Sequence, residues 1–136
     1  WIIFQALMSP KLEHHSTTVT RLGDDLWRID FGVHNTGYLP TDVSKLTREK
    51  KLVRGVVAEI VLPAGADLVE GKRRVEGPQL EGRNNVHTLV SFFPGANATQ
   101  DRFRVSWIVR GKPGTIVQCV ARCERAGSVT VKATLA

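Results

Sequence analysis

The sequence predicts an all-β fold, an immunoglobulin-like antiparallel β-sandwich of about seven to nine short strands. A short N-terminal helical segment and one short helix near residues 41–50 accompany it. Three observations lead there. Two segments alternate apolar and polar residues with a period of two, the mark of a half-buried strand. Turn signals built on Gly, Pro and Asp recur between short apolar stretches. No strand–helix–strand rhythm appears, which argues against a parallel α/β fold.

Taken in order, "WIIFQALM" at the start reads as helical. Ser9-Pro10 stops it, because a residue before proline is pushed out of the helical region. "TTVTRL" (Thr17–Leu22) is a strand, Gly23-Asp24-Asp25 a turn, and "LWRIDFGV" the next strand. In that strand Trp27, Ile29, Phe31 and Val33 face the core, while Arg28, Asp30 and Gly32 alternate with them.

"FGVHNTGYLPTDVS" begins as this strand and then breaks. Asn and Gly tolerate a left-handed backbone, so Asn35-Thr36-Gly37 can end the strand sharply. Tyr38-Leu39-Pro40 lays apolar groups over the sandwich end, and Thr41 or Asp42 caps a helix over Thr41–Lys51. None of these residues is an evident nucleophile or acid–base pair. The segment reads as a corner of the fold.

Leu52–Pro63 reads as another strand, followed by short ones in "ADLVEG" and "KRRVEG" and by Asn85–Phe93, which ends at Pro94-Gly95. "RFRVSWIVRG" alternates most clearly. Phe103, Val105, Trp107 and Val109 face inward; Arg102, Arg104, Ser106 and Arg110 face water. Lys112-Pro113-Gly114 turns into "TIVQCVARCER", and Ala126-Gly127 into "SVTVKATL".

The 136 residues suit one domain with a substantial core, and 42% hydrophobic with 24% charged residues is ordinary for a globular chain. No run of 18 apolar residues and no signal-peptide pattern occurs. The chain starts at Trp1 and its one methionine is Met8, so a fragment or processed product is expected. The net charge of +6 raises a nucleic-acid reading. Its basic residues are dispersed, Glu49, Glu70 and Glu76 lie among them, and no aromatic residues interleave to stack bases. A solvated surface accounts for them.

Cys119 and Cys123 share one face of a predicted strand but sit roughly 13 Å apart along it. A disulfide needs Cα atoms within roughly 7 Å. Zinc would require two further ligands, and no second pair stands at suitable spacing. With Val117 and Ala121 they form an inward face, as small buried hydrophobes. Adjacent His14 and His15 point to opposite sides of an extended chain and make a poor metal pair. His34 falls on the outward side of its strand, and His87 completes the set. No H-x-x-E, H-E-x-x-H, G-x-S-x-G or phosphate-cradling glycine loop occurs. Asp24-Asp25 lacks a calcium-loop pattern and is explained by its turn. Asn97-Ala98-Thr99 matches the glycosylation acceptor pattern. These residues assemble no active site.

"FQALMSPKLE", "LWRIDFGVHNTGYLPTDVS", "KLVRGVVAEIVLPAGADLVEGKRR", "QLEGR" and "WIVRG" together resemble the C-terminal region of bacterial zinc carboxypeptidases of the carboxypeptidase A-like class. The resemblance runs from Trp1 to about Leu135 as an overall pattern, without a catalytic signature. It implies a β-rich domain following a catalytic α/β domain, with residues 1–10 as the end of a preceding helix and 11–136 as the sandwich. In that family zinc is held by an H-x-x-E pair and a later histidine, with a glutamate base and an arginine that grips the substrate carboxylate. None of these motifs stands here, so no catalytic, cofactor-binding or metal-binding residue carries over.

The implied role is a non-catalytic, metal-free accessory domain that packs on and stabilises a zinc-dependent catalytic domain upstream in the same chain. That parent would hydrolyse peptide or related amide bonds. Trp1, Phe4, Tyr38 and Leu39 are the candidate docking surface. No specific nucleic-acid partner and no membrane are expected. A cytoplasmic location fits the family and two unpaired thiols. One rival is a free-standing binding module for carbohydrate or protein, which its three tryptophans could serve, although Trp27 and Trp107 lie on predicted core faces. Another is a polyanion binder using Arg102, Arg104 and Arg110.

Overall fold

The chain enters its first strand, β1 (Leu12–Gly23), turns at Asp24 and Asp25, and returns antiparallel as β2 (Leu26–Asn35). Asp25 takes a positive φ of 58°, which a short polar side chain tolerates, and its carbonyl accepts the Gly111 N–H at 2.8 Å. The computed structural model describes residues 1–42, 44–86 and 100–136. Further strands are β3 (Val57–Val61), β4 (Asp67–Glu70), β5 (Arg74–Glu76), β6 (Arg102–Arg110), β7 (Ile116–Cys123) and β8 (Gly127–Thr134). Among the described residues there are also three short helices: α1 (Ile2–Met8), which precedes β1, α2 (Lys45–Glu49) and α3 (Arg83–Val86). None is long and apolar enough to cross a membrane.

Two four-stranded antiparallel sheets result, in the orders β1-β2-β6-β4 and β5-β3-β7-β8. In immunoglobulin lettering these are A-B-E-D and C′-C-F-G, the two-sheet partition of that outline. One detail is unusual: the strand in the D position precedes the one in the C′ position along the chain.

The core lies between the sheets, and the predicted inward faces form it. Trp27, Ile29, Phe31 and Val33 are at most 2% exposed, and Trp107 and Val109 at most 1%. The first sheet supplies bulk, with Phe31 and Trp107 stacked at a centroid distance of 6.3 Å. The second supplies small residues: Ala58, Cys119, Ala121, Cys123 and Ala133. Large against small lets the inner faces interdigitate at native density. Both cysteines are free and buried.

Four expectations need correction. β1 begins at Leu12, not Thr17, because a bulge inserts His15 between the pairs His14–Val33 and Ser16–Gly32. That extra residue hides the period-two signal. The strand expected over Leu52–Pro63 shrinks to β3, since Val56 bonds irregularly to Gly77 and Pro78 before the ladder starts. The helix expected over Thr41–Lys51 is only α2. Its cap is Ser44, whose Oγ accepts the Thr47 N–H at 3.3 Å, while Thr41 and Asp42 are buried. Finally, Asn85 and Val86 close α3 instead of opening a strand. The rest of the expected strand to Phe93, His87 and the turn and acceptor signals from Pro94 to Thr99 lie outside the described residues.

Candidate functional site

Two groups of residues at one end of the sandwich carry the chemistry that the fold offers. The first is the corner itself. Asn35, 2% exposed at the end of β2, uses both ends of its carboxamide. Its Oδ1 accepts the N–H groups of Lys11 at 2.9 Å and Gly37 at 3.0 Å. Its Nδ2 donates to the carbonyls of Leu39 at 2.8 Å and Glu81 at 3.3 Å. One side chain thus fixes the start of β1, the corner and the segment before α3.

Neither Asn35 nor Gly37 adopts the left-handed backbone that the sequence suggested. Glycine is needed at 37 because the chain passes close by. A Cβ there would lie 2.6 Å from Pro10 Cα and 2.7 Å from Lys11 N, and would also collide with the Ser9 carbonyl. Thr41 completes the corner. Its Oγ1 donates to Gln79 Oε1 at 2.7 Å and accepts the Leu80 N–H at 2.8 Å.

On this scaffold sits α1, where no residue is buried although Gln5 is its one polar residue. Trp1 is 87% exposed, and Ile2, Ile3, Phe4 and Leu7 are exposed with it. Helix and corner are joined by the Leu39 N–H, which donates to the Met8 carbonyl at 3.0 Å. The four candidate docking residues therefore belong to two adjoining segments. Trp1, Phe4 and Tyr38 are exposed, while Leu39 is half-buried.

The second group lies on the outer face of the β1-β2-β6-β4 sheet. The bulge turns His15 onto the same face as His34, and their rings approach to a centroid distance of 5.1 Å. Between them lies Gly32, where a Cβ would crowd Ser16 Oγ at 3.0 Å and make only an ordinary contact with His15 Cδ2 at 3.8 Å. Burial, and then the neighbouring His15, hold the His34 imidazole below its ordinary pKa. Glu13 stays below its usual range, chiefly through the hydrogen bond from Lys11. Asp101 Oδ1 is buried without a hydrogen bond, 3.8 Å from Arg102 Nε. His14 is separate, with Nε2 2.9 Å from Thr17 Oγ1. Sequence reading missed the His15–His34 pair because the bulge, invisible in the residue pattern, decides which way His15 points.

Elsewhere the residues are structural. Burial pushes the Cys119 thiol up to about 11, so it is protonated and inert at neutral pH. Arg102, Arg104 and Arg110 are exposed along β6, on a face that also carries the acids Glu13 and Asp30. Arg28 there pairs with Asp30 at 3.2 Å. Among the described residues no group of three or more His, Cys, Asp or Glu is placed to hold a metal ion.

A family model for a domain of unknown function, DUF8731, matches residues 11–134, from the residue before β1 to the end of β8. The chain belongs to that family. No curated protein and no solved structure matches it. The matched span of this DUF8731 member contains Asn35, Gly37 and the His15–His34 pair, and α1 lies outside it.

Proposed function

We propose that this DUF8731 domain is a non-catalytic accessory module that docks through α1 and the adjoining Tyr38–Leu39 corner onto a catalytic domain preceding it in the same chain. The observation that carries the reading is α1 itself. A helix that is apolar nearly all round belongs in a protein interior, yet here it stands clear of its own sandwich. Five large apolar side chains in solvent leave on the order of 10 kcal/mol of transfer free energy unrealised. A seven-residue helix is also too short to be stable by itself in water.

The resemblance of the whole chain to the tail of bacterial zinc carboxypeptidases names the class of that catalytic domain: a zinc-dependent hydrolase of peptide or related amide bonds. The domain's own residues fit a supporting part. The buried Asn35 carboxamide at the corner is spent on four backbone hydrogen bonds, which stiffen the end that α1 leaves from. Burial of Trp27 and Trp107 leaves Trp1 as the exposed indole, a poor platform for stacking sugars.

Reading the source genome upstream of the Trp1 codon tests the proposal. An open frame encoding H-x-x-E and a later histidine supports it. A start codon close to Trp1, or an unrelated upstream domain, overturns the peptidase reading. The docking surface is tested in the complete chain by Phe4→Ser combined with Tyr38→Ser. That change should lower the melting temperature of the catalytic part, and an unchanged value would refute docking at this face.

A further inference from the structure

The His15–His34 pair shares no residue with the docking surface, and the inference drawn from it does not depend on that reading. We propose that these two imidazoles chelate one divalent transition-metal ion of the Ni2+, Cu2+ or Zn2+ class. The inference departs from the metal-free domain that the sequence suggested.

Geometry carries it. Metal–imidazole bonds of roughly 2.0–2.1 Å place each ring centroid about 3.2 Å from the ion, and ligand angles of about 90–109° then set the centroids about 4.5–5.2 Å apart. The observed 5.1 Å falls in that range. Neither ring hydrogen-bonds another described residue, whereas His14 is tied to Thr17. Their nitrogens are thus free to ligate.

The backbone supports the same conclusion. A bulge re-aims His15 onto the face that His34 occupies. Imidazole nitrogens suit ions of this class, which selects against Mg2+ and Ca2+. Glu13 and Asp101 add negative potential nearby, partly opposed by Arg102. With two protein ligands, water fills the remaining positions, so the ion exchanges readily.

The test is titration of the intact domain with NiCl2 at pH 7.5, followed by calorimetry and by NMR of the histidine ring protons. One saturable ion is expected, with the rings of His15 and His34 broadened by the paramagnetic metal and His14 still sharp. His15→Ala and His34→Ala should each weaken binding at least about tenfold, and His14→Ala should leave it unchanged. His15 is exposed, so its variant is expected to fold. The absence of saturable binding overturns the proposal. So does an affinity that survives His15→Ala, or broadening centred on His14 or His87.

Discussion

The carboxamide oxygen of Asn35 accepts the backbone N–H of Gly37 at 3.0 Å, two residues ahead of it. This short loop closes the corner, and the other three hydrogen bonds of the same side chain tie it to Lys11, Leu39 and Glu81. A buried amide with both its oxygen and nitrogen satisfied acts as a rivet where the β1–β2 ladder ends and the corner meets the segment before α3.

Asn35→Ala is therefore expected to destabilise the domain by about 3 kcal/mol, because buried partners are left without a hydrogen bond. Urea denaturation measures it. A loss below about 1 kcal/mol would mean that water replaces the amide.

Gly37→Ala should lower stability by about 3 kcal/mol, since the new methyl meets backbone atoms of Pro10 and Lys11 that have little room to move. Gly23→Ala is the control. A Cβ at Gly23 meets nothing within 4 Å and its φ is not positive, so thermal melts should separate the two variants clearly.

Trp27 Nε1 donates to the Gly111 carbonyl at 2.9 Å, across 84 residues of sequence. Trp27→Phe keeps most of the packing but orphans that buried acceptor, with an expected loss of about 1–3 kcal/mol in urea. An unchanged unfolding midpoint would show that the indole serves only as bulk.

The pH dependence follows from His34. Its folded-state pKa is depressed, first by burial and then by His15, below the unfolded value of about 6.5. The unfolded chain therefore binds the proton more readily. Stability is at its full value above about pH 6.5, falls as the pH drops below it, and reaches its floor once the folded-state pKa is passed. Unfolding midpoints between pH 8 and 5 should show this decline, and His34→Gln should flatten it. An equal slope in the variant would assign the effect to other groups.

Much of the architecture was legible in the residues. The inward faces of β2, β6 and β7 follow from period-two alternation, because a half-buried strand between a core and water imposes that period. Residues that obey a second constraint were harder to read. Thr41 looked like a helix cap because Ser, Thr, Asp and Asn share that propensity, yet the fold uses its hydroxyl to hold Gln79 and Leu80. Gly37 suggested a left-handed turn, when its lack of a side chain serves a close approach by Ser9, Pro10 and Lys11.

The sequence by itself determined the two-layer β class, the inward faces of β2, β6 and β7, and the stop of α1 at Ser9-Pro10, all consequences of local pattern and local sterics. The tertiary structure alone decided that Asn35 bonds to four separate backbone groups and that α1 lies uncovered by its own sandwich. It also decided that His15 faces His34. These outcomes depend on the meeting of segments far apart in the chain, and on a one-residue bulge that reverses the facing of a side chain without any mark in composition or period.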